Sequence, residues 1–359
     1  MGQPLRVGIV GAGTIATHYV DTITRLDALE LVAVADLDAS RAEQLAQRSP
    51  NVRASAVPQL VAADDVDVVL NLTIPAAHAD VAHQVVDGGK HVYGEKPLAA
   101  GTAEARAVLD AAESAGVLAG CAPDTVLGTG TQTARRAIDD GLIGAPIAAT
   151  ATMITPGHER WHPQPDFYYA PGGGPLYDMG PYYVTALVTL LGPVVSVLGA
   201  ASRSRDTRTI GSGPRAGQPI PVDVDTHVTA ILRHASGALS TLVMSFDGVA
   251  TQAPRVEVHG EQASLVVPDP NGFAGDVLLR GLGSSDWTTL PPSAGYAGGS
   301  RGIGLLDLAA GQKALRASGD LGFHVLDVIE SVIASAHADT ALRLASTAPR
   351  PDSVPLTDL

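Results

Sequence analysis

The chain of 359 residues has one cysteine, Cys121, so neither an intrachain disulfide nor a metal site built on several thiolates can form. Cations are also scarce: 23 Lys and Arg stand against 37 Asp and Glu, a formal net charge of −14. Nucleic acids and anionic membranes require clustered cations, so we expect neither as a partner. Apolar residues make up 45% of the chain and charged residues 17%, which is typical of a folded protein with a large core.

Aromatic residues are few and unevenly distributed. The chain has two Trp, eight Tyr and four Phe, and half of them lie between residues 161 and 183. A chain with so few large flat side chains has concentrated them in one segment. The seven are Trp161, Phe167, Tyr168, Tyr169, Tyr177, Tyr182 and Tyr183.

One uncharged run, residues 179–202, is long enough to span a bilayer. Gly192-Pro193 interrupts it, and proline breaks a helix. We therefore predict a buried helix that ends near Leu191 and a strand that begins near Val194. The first residues of the chain lack the basic and apolar regions of a signal peptide, so we expect a cytoplasmic protein.

A glycine-rich turn follows the first apolar strand, at residues 5–10. Residues 11–16 read G-A-G-T-I-A, which fits the dinucleotide motif G-x-G-x-x-G/A between a strand and a helix. Asp36 ends the second strand, where its carboxylate suits a ribose diol and repels a 2′-phosphate. The motif therefore predicts NAD, with NADP less favoured because of this charge. The residues expected to hold the dinucleotide at the turn are Gly11, Gly13, Thr14 and Ile15.

The order of predicted helices and strands changes near residue 122. Up to that point strands alternate with helices, which predicts an α/β chain with an N-terminal Rossmann dinucleotide-binding domain at 1–122. We predict a C-terminal α+β domain at 123–359, with a large, mainly antiparallel open sheet. In this sheet, strands at 222–233, 238–246, 255–258 and 264–267 are expected to be antiparallel neighbours. Residues 203–221 and 291–304 are expected to be exposed excursions. A final helix, about 321–338, packs either within this domain or back on the first.

A lysine stands at the end of a predicted strand, in Gly94-Glu95-Lys96-Pro97. The chain has three lysines, at 90, 96 and 313, so arginine is its ordinary surface cation. Lysine can lose its proton when its surroundings lower the pKa, whereas arginine effectively cannot. Lys96 is therefore a candidate for proton chemistry, the alternative being a surface lysine before a turn proline.

With these motifs in order, the sequence resembles the Gfo/Idh/MocA oxidoreductases. A third segment agrees, because residues 172–182 carry a glycine run followed by D-x-G-x-Y, from Asp178 to Tyr182. The resemblance implies hydride transfer between a nicotinamide cofactor and a ring carbinol of a sugar, glycoside or cyclitol. The inositol dehydrogenase branch has histidine at the last position, so its substrates do not carry over to a chain with tyrosine there.

The resemblance assigns catalysis to Lys96, Asp178 and Tyr182. Phenols and amines both titrate near pH 10, so the pKa of whichever acts as base must be lowered. Asp178 and Tyr182 share a face if both are helical. Pro181 argues for a helix that begins near Gly180, with Asp178 just outside as an N-cap or as an orienting group.

Further candidates follow from the resemblance. It adds Thr73, His78, Glu95 and Lys96 to the cofactor contacts, although His78 could equally be an unliganded residue of a helix N-terminus. It makes Asp124 a candidate substrate contact, besides Asp178 and Tyr182. His158 and His162 have the spacing H-x-x-x-H, but they lie in a loop rich in proline and glycine, so we expect no metal there. Aromatic faces beside polar groups suit a sugar ring, so we expect this loop to cover the substrate, unless it forms a subunit contact or a separate hydrophobic cluster. Its candidate substrate residues are Trp161, His162 and Tyr169.

Two other functions remain open. In one, NAD stays bound and oxidises the substrate transiently, in a glycoside elimination or in oxidoreduction between two sugars. In the other, the protein is a non-catalytic sensor. The resemblance also implies a homodimer or homotetramer.

Overall fold

The computed structural model describes residues 3–312 and 314–359. Contacts divide the chain into two compact units. The first runs to Gly128 and takes up Tyr296–Leu326 and Thr357–Leu359, and the second comprises Thr129–Gly295 and Asp327–Leu356. The predicted single boundary at 122 differs from this division, because the first unit also includes two segments from the C-terminal part of the chain.

The first part of the chain alternates strands and helices, as predicted. The strands are β1 (Leu5–Val10), β2 (Leu29–Ala35), β3 (Arg53–Ser55), β4 (Val68–Asn71), β5 (His91–Gly94) and β6 (Ala119–Cys121). The helices are α1 (Ala16–Arg25), α2 (Ala39–Ala46), α3 (Val57–Val61), α4 (His78–Asp87) and α5 (Thr102–Ala115). The strands form a parallel sheet in the order β3-β2-β1-β4-β5-β6. The order reverses beside β1, so the carboxyl ends of β1 and β4 border a crevice in which such sheets bind ligands.

The second part of the chain is mixed. Its helices are α6 (Thr129–Asp139) and α7 (Pro175–Leu191). Its strands are β7 (Pro146–Ile154), β8 (Val194–Ser202), β9 (Thr207–Thr209), β10 (Pro219–Pro221), β11 (His227–His234), β12 (Leu239–Ser245), β13 (Val256–Gly260), β14 (Ala263–Val267), β15 (Val277–Gly281) and β16 (Thr288–Leu290). The last elements are β17 (Tyr296–Ala297), α8 (Leu305–Ala309), α9 (Gly319–Ala338), β18 (Leu342–Arg343) and β19 (Thr357–Asp358).

The second unit is built on a nine-stranded sheet in the order β16-β15-β14-β13-β7-β12-β11-β8-β18. The predicted large and mainly antiparallel sheet is confirmed, with one correction. Strands β12 and β13 are not neighbours, because β7 lies between them and pairs parallel with β12. Helix α7 packs against β7, β11 and β12, and almost every side chain of its second half is buried.

The uncharged run at 179–202 is a helix followed by a strand, as predicted: α7 ends at Leu191 and β8 begins at Val194. Helix α9 is long and apolar enough to cross a membrane by length and composition, and 44% of its most apolar stretch is buried. Core helices of water-soluble proteins meet the same criterion, so this observation is weak evidence for a membrane span.

The two segments expected to be exposed, 203–221 and 291–304, are partly buried. Residues 203–221 form the ribbon of β9 and β10, in which the Arg208 side chain is buried. In 291–304, Ile303 is fully buried. Their Gly, Pro and Arg content suggested exposure, but buried carboxylates supply partners for this polar backbone and for Arg208, as described below.

Candidate active site

The turn after β1 has the geometry that a phosphate-binding loop requires. Gly11 has φ +103°, and a Cβ there would lie 2.6 Å from the backbone carbonyl of Leu72, so only glycine fits. Around the Cβ position of Gly13, no heavy atom of the described residues comes within 4 Å. An open approach to backbone amides at the start of α1 suits a pyrophosphate.

Asp36 is fixed at the end of β2 by two backbone amides. Its Oδ2 accepts from Ala12 N at 2.7 Å and its Oδ1 from Asp38 N at 2.9 Å. The carboxylate therefore borders the glycine turn, as expected of an acid that receives a ribose diol. Arg41, the nearest basic residue along the chain, lies 3.5 Å from Asp38 in an exposed ion pair. The residues of this turn thus fit a dinucleotide, whose nicotinamide supplies the hydride acceptor or donor.

Lys96 belongs to a segment whose backbone is fixed by hydrogen bonds to a buried side chain. Glu95 Oε2 accepts from the amide of Lys96 at 3.0 Å, and Oε1 accepts from the hydroxyl of Tyr19 at 2.7 Å. Both Tyr19 and Glu95 are buried. The Glu95 carboxylate is therefore occupied by protein groups, which makes it a support for Lys96 rather than the cofactor contact that was expected.

His78 joins the segments that follow β4 and β5. Its Nδ1 lies 2.6 Å from Pro97 O and its Nε2 lies 3.1 Å from Thr73 O, and the ring is buried. Asn71 completes this network, since its Oδ1 accepts from the Thr73 hydroxyl at 2.6 Å. His78 therefore positions the Lys96-Pro97 backbone, which argues against the predicted direct contact with the cofactor.

Asp124 lies in the interior of the first unit. Its carboxyl group is completely buried, and Oδ2 accepts from the amides of Gly302 and Gly304 at 2.9 and 3.0 Å. Burial raises the pKa of this group to about 6. The expected substrate contact at Asp124 is wrong on this geometry, because the side chain ties residues 302–304 to the first unit.

The second unit contributes helix α7, which begins earlier than predicted. Pro175 starts the helix, and Pro181 lies inside it. Asp178 is therefore helical, and it shares a face with Tyr182 one turn later. The expectation of a start near Gly180 was wrong, because burial of the helix compensates for the hydrogen bond that Pro181 cannot donate. Tyr182 is 5% exposed.

An unexpected contact connects the aromatic loop to this helix. His158 Nε2 lies 3.1 Å from Asp178 Oδ2. The imidazole packs against Trp161, Tyr168 and Phe246, with ring centroids 5.2, 4.8 and 4.4 Å away. From the sequence, His158 was a candidate only for a metal ligand, and no metal was expected there. Among the described residues, no group of three or more His, Cys, Asp or Glu could hold a metal ion.

The loop is held in place by a buried charged cluster. Arg208 Nη1 donates to Glu159 Oε1 at 2.9 Å, and its Nη2 pairs with Asp247. The hydroxyl of Tyr169 donates to Glu159 Oε2. Tyr169 is fully buried, so it cannot stack on a substrate as predicted. We call Arg208, Glu159, Asp247 and Tyr169 the Arg208 cluster.

Exposed rings remain on the outer side of the loop. Trp161 is 58% exposed, and Phe167, which was not among the candidate substrate residues, is 56% exposed. The ring of His162 packs edge-on against both. Flat apolar faces beside the polar His158–Asp178 pair form a surface of the kind that suits a sugar ring.

A parallel sheet with a glycine turn at its switch point defines a dinucleotide-binding fold. Two family profiles match the chain: an oxidoreductase family with NAD-binding Rossmann fold, over residues 5–122, and the GFO/IDH/MocA C-terminal domain, over residues 131–266. The chain belongs to the GFO/IDH/MocA family of oxidoreductases, as the sequence motifs predicted.

Curated relatives include sugar and glycoside enzymes. The chain is 30% identical to D-glucoside 3-dehydrogenase of Escherichia coli, over 68% of this chain and 72% of the relative. It is 28% identical to dTDP-3,4-didehydro-2,6-dideoxy-alpha-D-glucose 3-reductase of Actinomadura kijaniata, over 80% and 91%.

Solved structures show the same fold. An NAD binding oxidoreductase from Klebsiella pneumoniae superposes with a TM-score of 0.82 at 24% identity, covering 96% of this chain and all of that one. A levoglucosan dehydrogenase in complex with NADH and L-sorbose gives a TM-score of 0.78 at 19% identity, with the same coverage.

Proposed function

We propose that the protein transfers a hydride between NAD and a ring carbinol or ketone of a neutral sugar, glycoside or cyclitol. The observation that carries the proposal is the second-unit surface where Asp178 and Tyr182 share one face of α7 and His158 joins Asp178 to the exposed aromatic loop. The relatives that act on glucosides, inositol and deoxysugars support this substrate class.

NAD rather than NADP is the proposed cofactor. The carboxylate of Asp36 lies against the glycine turn, where it would accept hydrogen bonds from a ribose diol and repel a 2′-phosphate. One relative is an NADP-dependent D-xylose 1-dehydrogenase, so the family accommodates both cofactors and this choice depends on the residues of this chain.

Lys96, Asp178 and Tyr182 are the proposed catalytic residues. An ammonium and a phenol can stabilise charge that develops on the oxygen as the carbinol is oxidised. Trp161 is the proposed stacking residue. Hydrogen bonds from Ser212 Oγ to Trp161 O and from Gly211 N to Glu159 O hold this part of the loop to the neighbouring segment of the same unit.

A panel of sugars, glycosides and polyols tests the proposal, with NAD and with NADP, by the absorbance of reduced nicotinamide. Release of NADH with a single neutral sugar is the expected result. Trp161→Ala should raise KM with a smaller effect on kcat. A cofactor that stays bound while a glycoside is cleaved would support transient oxidation instead. Unchanged activity in Lys96→Ala would contradict the catalytic role of that residue.

A homodimer or homotetramer is also proposed. The outer face of the nine-stranded sheet carries Leu198 directly opposite Ile231, and both are more than 40% exposed. Leu239 extends this apolar stripe opposite Arg233. A broad sheet face with large apolar side chains is suited to burial against a second copy.

A further inference from the structure

The sequence does not determine which group could exchange a proton at neutral pH. Amines and phenols ordinarily titrate near pH 10. Imidazole is the side chain whose ordinary titration falls near neutrality. The second unit places one imidazole against the site, since His158 Nε2 lies 3.1 Å from Asp178 Oδ2, one helical turn before Tyr182.

The pair is sheltered but reachable. The side chains of His158 and Asp178 are 13% and 19% exposed. The imidazole is confined by the Trp161, Tyr168 and Phe246 rings on several sides. The next residue along the chain, Glu159, is fixed by Arg208. The orientation of the ring is therefore set by the fold before any substrate binds, as a proton-exchanging group requires.

We propose that His158, backed by Asp178, is the group that exchanges the proton of the substrate hydroxyl. This inference rests on the proposed function. In the oxidation direction the carbinol C–H bond breaks and its hydride passes to the bound nicotinamide. The O–H bond breaks and its proton goes to Nδ1 of the neutral imidazole. Nε2–H donates to Asp178, whose negative charge stabilises the imidazolium that forms. Reduction returns the same proton to the oxygen.

Few titratable groups surround the imidazole in the described part of the chain. Asp178 contacts it from α7, and Tyr168 and His162 belong to its own loop. Phe246, which contacts it from the segment after β12, is apolar. Glu159, the next residue along the chain, and Asp247, the residue after Phe246, are both paired with Arg208. Asp166, in the same loop, is paired with Arg215. Asp178 is the acid that contacts the imidazole directly.

The first experiment is the pH dependence of kcat/KM for oxidation in the wild type and in His158→Gln. Wild-type kcat/KM should fall at acid pH, because a protonated ring cannot accept the proton. His158→Gln should lose about 100-fold or more at neutral pH and should lack this acid limb. The matched control is His337→Gln, because His337 forms another His–Asp pair in the same unit, 2.7 Å from Asp225. It should keep the wild-type pH profile.

A second measurement needs neither substrate nor cofactor. The histidine rings of the full-length protein are labelled with 15N and observed by NMR at a fixed pH. The His158 signal is assigned by its loss in His158→Gln or, if that variant fails to fold, in His158→Phe. Asp178→Asn should change the ring nitrogen shifts of His158, because it replaces the carboxylate that Nε2 contacts. Unchanged His158 shifts in a folded Asp178→Asn variant would overturn the pairing.

The possible results distinguish failure of the proposed role of His158 from failure of the proposed function. A wild-type protein that turns over a sugar, with a His158→Gln variant that keeps the wild-type pH profile at a uniformly lower rate, refutes the role of His158 alone. A wild-type protein that transfers hydride to no member of the panel refutes the proposed function and this inference together.

Discussion

The phenol of Tyr19, on α1, donates a 2.7 Å hydrogen bond to Glu95, which follows β5 and whose second oxygen accepts from the Lys96 amide. The helix that begins at the glycine turn is thereby connected to the backbone of the candidate catalytic lysine. Both side chains are buried, so the carboxylate depends on these two donors in the absence of water.

Removal of the Tyr19 hydroxyl tests this connection. Tyr19→Phe should lower the free energy of unfolding by about 1–3 kcal/mol, because Glu95 loses a partner in the interior. Urea unfolding measures the change. Tyr93→Phe is the matched control: the Tyr93 hydroxyl is buried and has no hydrogen-bond partner among the described residues, so its loss should be neutral or stabilising. Equal destabilisation by both variants would contradict the role of the Tyr19–Glu95 bond.

Asp124 should make stability depend on pH. Burial raises the pKa of its carboxyl group from 3.8 to about 6 in the folded chain. Between these values the folded protein binds more protons than the unfolded chain, so the contribution of Asp124 to stability is complete below pH 4 and is lost as pH rises to 6. The loss is about 3 kcal/mol for a shift of this size.

Asp124→Asn should flatten this dependence, because an amide oxygen can still accept from Gly302 and Gly304 but does not ionise. Urea unfolding at several values between pH 4 and pH 7 measures the difference from the wild type. The exposed Asp80→Asn serves as control and should run parallel to the wild type. A parallel curve for Asp124→Asn as well would show that the carboxyl ionises normally.

The first unit was predictable where its signals are local. Strand β1, the glycine turn and Asp36 lie close together in sequence, and the structure keeps them together. Strand β3 and helix α3 escaped prediction because segments of three and five residues carry too little periodicity. The return of residues 296–326 to this unit depends on contacts such as those of Asp124, which no local pattern encodes.

The second-unit site was predictable only in part, for the same reason. The sequence pointed to Asp178, Tyr182 and the aromatic loop, but not to the contact between His158 and Asp178, which are 20 residues apart and meet through tertiary packing. Tyr169 and Trp161 belong to the same aromatic loop. Tyr169 is buried and its hydroxyl donates to Glu159, whereas Trp161 is exposed. Aromatic content alone does not distinguish a ring that supports a loop from one that faces solvent.

Asp36 should control the choice of cofactor. Asp36→Ser removes the charge that opposes a 2′-phosphate, so the ratio of kcat/KM for NAD to that for NADP should fall by about tenfold or more, equivalent to about 1.4 kcal/mol. Steady-state kinetics with both cofactors provides the ratio. Asp38→Asn is the control: Asp38 caps α2 through Ser40 N, and asparagine caps a helix equally well, so this variant should keep the fold without changing the ratio. A preference for NADP in the wild type would contradict the role given to Asp36.

The Arg208 cluster should be essential for the aromatic loop. Arg208→Met leaves Glu159 and Asp247 buried without their cation, which costs about 3–5 kcal/mol in known buried pairs. Arg215→Met breaks another pair that reaches the same loop, with Asp166, but both of its partners are more than a third exposed, so about 1 kcal/mol or less is expected. Thermal unfolding compares the two. If both variants lose a similarly small amount of unfolding free energy, the Arg208 cluster is accessible to water.

The outer sheet face should determine the oligomeric state. Ile231→Glu puts a charge into the centre of the apolar stripe, opposite Leu198 on one side and Thr241 on the other. Burial of this carboxylate in an interface would be costly, so sedimentation velocity should show a shift from dimer or tetramer towards monomer, at a secondary-structure content like that of the wild type. Leu282→Glu is the control, because Leu282 is 88% exposed and lies after β15, away from the stripe. A wild-type monomer, or an Ile231→Glu variant that assembles as the wild type does, would place any subunit contact elsewhere on the chain.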